Sequence, residues 1–157
     1  MDLHPDCEPL AFLLGTWKGR GDGEYPSIEP FSYLEEVTFG HVGKPFLAYT
    51  QKTRHAETGE PLHAEMGYIR VAGETINLSL VQPTGILETY VITLDGQALS
   101  FELDAVSFSP NASNAAKSIT GTTRSFEVDG DVMRYTMGMA AVGNPMTHHL
   151  RAELHRS

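Results

Sequence analysis

The chain of 157 residues contains one cysteine, no long apolar run and few basic residues. Because Cys7 is the only cysteine, an internal disulfide and a cysteine-based zinc site are excluded. No apolar run approaches the roughly 18 residues of a membrane-spanning helix, so we expect no membrane association. The 20 acidic and 11 basic residues give a net charge of -9. Such a chain repels phosphate backbones, so we expect no nucleic-acid partner.

The N-terminal segment "MDLHPDCEPLAFLLG" predicts a short helix that begins at Pro5 or Asp6 and ends at Gly15. The segment lacks the basic region that begins a secretory signal, and its apolar part "LAFLL" is too short for one. We therefore expect a cytoplasmic protein.

Turn-forming residues recur along the rest of the chain, as in "GDGEYPS", "ETGEP", "LDGQ" and "VDGD". The runs between them alternate apolar and polar residues, and Asp95-Gly96 and Asp129-Gly130 are typical of tight hairpin turns. This pattern predicts an all-β fold of about ten antiparallel strands. We expect them to close into one barrel, because closure leaves no exposed edge. The length favours a single domain over residues 1–157.

The stretch "DVMRYTMGMAAV" has the clearest alternation of all the predicted strands. Its apolar face consists of Met133, Tyr135, Met137, Met139 and Ala141. Methionine often only fills a core. A barrel of more than about eight strands, however, leaves interior space, so this face could equally line a ligand cavity.

An unusual series of glycines surrounds the only tryptophan in "LLGTWKGRGDGEYPSIEPFSY". Gly19, Gly21 and Gly23 occupy every second position and leave one face of a strand bare. A neighbouring element or a flat ligand can approach the backbone there. The segment is no phosphate-binding loop, since no helix pattern and no Lys-Ser/Thr pair follow it. We expect Trp17 to close one end of the barrel.

These segments resemble the nitrobindin family of small haem-binding barrels, which are similar to lipocalins and fatty-acid-binding proteins. "GTWKGRG" and "GEYPSIEPFSY" match the first family motif. "EEVTFGHVGKPFLAYTQKT", "PLHAEMGYIR", "TRSFEVDG" and "MAAVGNPMTHHLRAEL" follow in the same order. The resemblance extends from Leu13 to Leu154 and implies a haem-binding β-barrel.

The resemblance also implies roles for three residues. The family pattern H-L-x-A-x-L is "HLRAEL" in this sequence, and it makes His149 the axial ligand of the haem iron. Met139, ten positions earlier, matches a methionine of the family's haem pocket. His63 in "PLHAE" matches a pocket histidine, although it could instead be a strand histidine paired with Glu65 on the same face.

The alternation of the last strand disagrees with this ligand assignment. Leu150, Ala152 and Leu154 share their face with His148, whereas His149 lies on the opposite face. Strict alternation would thus direct His148 towards the apolar interior. His148 is therefore the alternative iron ligand, and both histidines could also simply lie at the surface.

The function implied by the resemblance is scavenging of reactive nitrogen species. A ferric haem b, one per chain, would bind nitric oxide and isomerise peroxynitrite to nitrate, and a homodimer is possible. Candidates to meet the haem propionates are Arg20, Lys44, Arg70, Lys117, Arg124 and Arg134. The alternative function is a haem-free carrier of a small hydrophobic ligand, which needs the same barrel but no axial histidine.

Overall fold

Ten antiparallel strands form a closed barrel in the computed structural model, which describes residues 1–157. The strands are β1 Gly15–Tyr25, β2 Ile28–His41, β3 Phe46–His55, β4 Pro61–Ala72, β5 Thr75–Val81, β6 Ile86–Asp95, β7 Ala98–Phe108, β8 Ile119–Asp129, β9 Val132–Ala141 and β10 Thr147–Arg156. Each strand pairs with its neighbours in the chain, and β1 closes the barrel against β10. The predicted all-β barrel of about ten strands is confirmed.

Both predicted hairpin turns are present, and each contains a glycine with a positive φ. Gly96 joins β6 to β7 with a φ of 60°, and Gly130 joins β8 to β9 with a φ of 59°. Glycine adopts this left-handed conformation without the steric cost that a Cβ atom would add. The helices are a 3₁₀ helix over Pro5–Leu13 and one α-helical turn, α1, over Asn114–Lys117. Neither helix has the length and apolar character that crossing a membrane requires.

The N-terminal helix closes one end of the barrel, which we call the closed end. Leu10 and Leu13 of this helix are fully buried beside Trp17 of β1. The Trp17 indole N–H donates a hydrogen bond of 2.8 Å to the Leu13 carbonyl oxygen. The expected role of Trp17 is therefore observed: its ring fills the closed end, and its only polar atom is satisfied by the helix.

The glycine stripe of β1 accommodates aromatic rings of β2 and not a ligand. A Cβ atom on Gly21 would lie 2.3 Å from the Tyr33 ring, and one on Gly23 would lie 2.3 Å from the Phe31 ring. On Gly19 it would lie 2.0 Å from a backbone oxygen of β10. The bare strand thus lets its neighbours pack against the backbone, which brings Tyr33 and Phe31 into the barrel interior.

Arg156, near the C-terminus, stabilises the closed end through several contacts. Its guanidinium carbon lies 4.1 Å from the centre of the Trp17 ring, and Nε donates to Asp131 at 2.8 Å. The two terminal nitrogens donate to the backbone carbonyls of Phe12 and Leu14. One side chain therefore joins the N-terminal helix, β1 and the turn before β9.

Replacing this side chain should destabilise the fold. We expect Arg156→Ala to lower the free energy of unfolding by about 2 kcal/mol, because charge-assisted hydrogen bonds and a cation–π contact are lost together. Arg134→Ala is the matched control. Arg134 pairs only with Glu153 on the exposed surface, and we expect a change below about 0.5 kcal/mol. Urea denaturation of both variants measures the difference, and equal effects would contradict the role of Arg156.

Candidate functional site

A cavity of about 560 Å³ opens at the end of the barrel opposite the N-terminal helix. Its outer part is lined by apolar side chains and by α1. These apolar residues include Ile28, Phe31, Ile86, Ala115, Ala116, Ile119, Met137, Met139, Val142 and Leu150. We call this part the apolar chamber. Both His149 and His63 also line the cavity.

A β-bulge in β10 directs His149 into the cavity. His148 pairs with Gly138 of β9, but the next paired residues are Leu150 and Met137, so His149 is an extra residue without a cross-strand partner. A bulge interrupts the alternation of side chains and bends the strand. As a result, His149 and Leu150 both line the cavity, whereas His148 is exposed on the outside. The outcome expected from strict alternation is wrong for this reason.

A hydrogen bond to the backbone of β1 holds the His149 ring in place. Its Nδ1 lies 2.9 Å from the carbonyl oxygen of Glu24. Since a carbonyl oxygen can only accept, Nδ1 must carry the proton. Glu24 itself lies at an irregularity of β1, between the paired residues Gly23 and Tyr25. The second ring nitrogen, Nε2, makes no hydrogen bond within the protein and keeps its lone pair available as a ligand.

The surroundings of His149 favour the neutral imidazole that a metal ion requires. Burial lowers the pKa of His149, and the nearby His148 and His63 lower it further. The hydrogen bond to the Glu24 carbonyl opposes these effects without reversing the direction. A neutral ring with Nδ1 protonated is the form in which a proximal histidine binds iron.

Tyr25 supports the cavity wall behind His149. The two rings meet edge to face with centres 5.5 Å apart. The Tyr25 hydroxyl accepts a hydrogen bond from the Ala141 N–H at 2.9 Å and lies 3.1 Å from the Ala141 carbonyl oxygen. These contacts fix the end of β9, where Met139 lies half-buried in the cavity wall. The predicted position of Met139 on the inner face of the barrel is thus observed.

His63 both lines the cavity and pairs with Glu65, which are the two arrangements that the sequence leaves open. It is half-exposed at the start of β4 and lines the cavity. At the same time its Nε2 lies 3.5 Å from a carboxylate oxygen of Glu65. The structure therefore brings His63, Met139 and His149 to one cavity, with His63 also linked to the polar residues below.

A layer of buried polar side chains forms the bottom of the cavity, and we call it the polar floor. On one side of it, the Tyr135 hydroxyl donates to Glu35 at 2.7 Å, and the Gln51 amide donates to Glu35 at 3.0 Å. Tyr33 and Tyr135 share a hydrogen bond of 2.6 Å. Burial raises the pKa of Glu35 to about 7, although these two donors lower it in part.

The other side of the polar floor is an ion-pair cluster around Arg124. This guanidinium donates to both oxygens of Glu65, at 2.5 and 3.1 Å, and lies 3.6 Å from Glu88. Burial alone would raise the pKa of Glu65, but Arg124 holds it well below its usual range. For Glu88 burial prevails over Arg124, and its pKa is raised. Arg124 is therefore inside the barrel and not free for a propionate at the mouth.

The polar floor was not predicted from the sequence. Glu35, Glu65, Glu88 and Arg124 each lie on the inward face of a strand, and Glu35 and Glu88 lie there between large apolar or aromatic residues. These charged residues interrupt the alternation of apolar and polar positions, and this interruption is the sequence signal that could have revealed the polar floor. Among the six basic residues proposed for the propionates, Lys117 lies in α1, the turn of helix that lines the cavity, whereas Arg134 pairs with Glu153 on the outside.

These features fit a haem group. The chamber walls are apolar, as a porphyrin requires, and one neutral imidazole with a free Nε2 faces the cavity from β10. The cavity is open at the mouth, where charged propionates could reach solvent. A closed barrel with such a cavity, and with an imidazole whose Nε2 is free, fits the class of small haem-binding β-barrels.

Comparison with known proteins agrees with this class. Residues 6–156 match the family described as "THAP4-like, heme-binding beta-barrel domain", and the chain belongs to that family. A protein named peroxynitrite isomerase 2 from Mycobacterium marinum is 51% identical over 99% of this chain and 97% of its own length. The peroxynitrite isomerase of Nocardia farcinica is 48% identical over 98% of this chain and 92% of its own length.

Solved structures share the barrel fold of this chain. The crystal structure of Rv2717c from M. tuberculosis superposes with a TM-score of 0.88 and 46% identity, covering 99% of both chains. A DUF3598-family protein of unknown function from Nostoc punctiforme shares the fold alone, with a TM-score of 0.61 and 12% identity. The resemblance to the nitrobindin family noted from the sequence is confirmed.

The raised pKa of Glu35 predicts how stability depends on pH. The folded protein holds this proton more tightly than the unfolded chain, whose carboxyl titrates near 4.5. The stabilisation is complete below pH 4.5 and is lost as the pH rises through about 7. Glu35→Gln cannot lose a proton, so its stability relative to wild type should increase by about 3 kcal/mol between pH 4.5 and 8.5.

Urea denaturation at several pH values measures this difference. Glu36→Gln is the matched control, because Glu36 lies on the outer face between Lys18 and Lys52. We expect its stability relative to wild type to stay constant from pH 6 to 8.5. A Glu35→Gln difference that does not change with pH would show that Glu35 titrates like an ordinary carboxyl group.

Proposed function

We propose that this protein is a haem-dependent peroxynitrite isomerase that converts peroxynitrite to nitrate and also binds nitric oxide. Residues 1–157 would act as one domain with one haem b per chain. The observation that carries the proposal is the cavity-facing His149, whose Nδ1 donates to Glu24 and whose Nε2 is free. The names of relatives about 50% identical over nearly the whole chain support the reaction. The cytoplasmic location and a homodimer stay predictions.

We propose that His149 would hold the haem iron through Nε2. The Glu24 carbonyl keeps its proton on Nδ1, and the bulge in β10 keeps the ring inside the barrel. Met139, together with the other apolar residues of the chamber, would pack against the porphyrin. Lys117 is the basic residue best placed for a propionate, because α1 borders the mouth.

When bound, the haem iron would supply Lewis-acid and redox chemistry towards nitrogen oxides. The chain's contribution is access and environment. The apolar chamber would keep water away from a bound haem, and the open mouth would leave room for a small anion or a diatomic molecule to enter. His63 lies at this mouth and is half-exposed, so we propose that it contacts haem or the entering ligand.

A fatty-acid carrier is the alternative function, and the polar floor argues against it. A fatty acid bound head-first needs a buried cation for its carboxylate. Arg124 is the buried cation of this barrel, and Glu65 and Glu88 already neutralise it. An additional carboxylate would meet three buried acidic side chains there.

Substituting His149 tests the proposed function. We expect His149→Ala to abolish the sharp Soret absorption shift that one equivalent of haemin produces with the wild-type protein. Its acceleration of peroxynitrite decay, followed by stopped-flow absorbance, should fall by at least about 100-fold, because the ligand that holds the iron is gone.

His148→Ala is the matched control, because His148 neighbours the ligand but is exposed on the outside. We expect it to retain both the Soret shift and the decay rate. Loss of haemin binding in His148→Ala, or its persistence in His149→Ala, would refute the assignment of the ligand.

A further inference from the structure

The polar floor contains more acid than base. Glu35, Glu65 and Glu88 face the interior, and Arg124 is the only basic side chain among them. Arg124 binds both oxygens of Glu65 and touches Glu88, whereas Glu35 receives hydrogen bonds only from Tyr135 and Gln51. Two carboxyl groups therefore compete for one guanidinium, and the third has none.

Hydrogen-bond acceptors in the polar floor also lack partners. The amide oxygen of Gln51 and the carboxyl Oε1 of Glu88 make no hydrogen bond. These two residues are only 8% and 2% exposed. Both residues line the cavity. Buried polar atoms are nearly always paired, so unpaired acceptors facing a cavity indicate a site for a ligand that brings donors. The unpaired Nε of Arg124 is the one donor that faces the same layer.

The apolar chamber lies directly above these acceptors. Met137, Phe31 and Leu150 belong to the same cavity as Gln51 and Glu88. A ligand that fills the whole cavity must therefore be apolar over most of its length and rich in donors at its inner end. A porphyrin satisfies the first requirement but offers no donor group to the floor.

We propose that the haem-free barrel binds long-chain amphiphiles with a primary ammonium head group, with the head on the polar floor and the alkyl chain in the apolar chamber. An ammonium group has three donors and no acceptor. In the polar floor it can donate to Glu88 on one side, or to Gln51 and Glu35 on the other, and it offsets the negative charge of the acidic side chains. Burying an isolated ammonium is costly, but here the unpaired acceptors and the acidic side chains of the polar floor would offset that cost. A carboxylate head would meet repulsion instead.

Haem and the amphiphile would compete for one chamber under this proposal. It does not depend on the axial ligand, because His149 takes no part in binding the head group. It also gives a role to the buried acidic side chains, which a bound fatty acid could not use.

Three ligands with the same ten-carbon chain test the proposal: decylamine, decanamide and decanoate. Displacement of a neutral fluorescent probe from the haem-free protein at pH 7.5 gives their affinities. Sodium chloride at about 0.5 M screens non-specific attraction of the amine to the acidic surface. We expect decylamine to bind at least about tenfold more tightly than decanoate, with decanamide between them.

Variants of the floor show whether the preference arises there. Glu88→Gln and Glu35→Gln should each reduce the preference for amine over carboxylate by about tenfold. Glu36→Gln removes the same charge from the outer face and should leave the preference unchanged. Circular dichroism and thermal unfolding establish that each variant is folded. Equal affinities for amine and carboxylate in the wild type, or an unchanged preference in both floor variants, would overturn the proposal.

His149→Ala separates this proposal from the proposed function. We expect this variant to lose haemin binding and to keep the preference for decylamine. If wild-type protein fails to bind haemin but prefers the amine, only the haem assignment fails. If it binds haemin and shows no preference between head groups, only the ammonium site fails.

Discussion

The hydrogen bond between His149 and the Glu24 carbonyl is the interaction on which the site depends. It joins the irregular ends of β1 and β10, beyond the last regular pair of Gly23 and Leu150. The same bond orients the ring, selects the tautomer and leaves Nε2 free. A regular strand would have directed His149 outwards, so the site exists because the ladder is interrupted at this point.

The barrel interior is divided along its axis into three layers with different chemistry. Trp17 and the N-terminal helix fill the closed end with apolar side chains. The polar floor lies above it, and the apolar chamber lies between the floor and the mouth. The apolar end supplies the stability that a well-packed core gives, while the two upper layers keep open a cavity that can bind a ligand.

The sequence predicted those features that depend on local patterns. Alternation and the Asp-Gly turns predicted ten antiparallel strands, and the glycine stripe of β1 predicted a close approach that Tyr33 makes. The bulge at His149 was not predictable from alternation, because an extra residue leaves no compositional mark. The polar floor was missed because Glu35, Glu65 and Arg124 belong to three different strands, and only the closed barrel brings them together.

By itself the sequence determined the fold class, the family and the apolar face that carries Met139. Periodicity and turn chemistry are local properties of the chain, so they can be read before it folds. Only the tertiary structure decided which of two adjacent histidines faces the cavity. It also decided how far each buried carboxyl group titrates from its ordinary range. Both depend on distances between strands far apart in sequence, and burial and hydrogen bonding acquire their values only when the barrel closes.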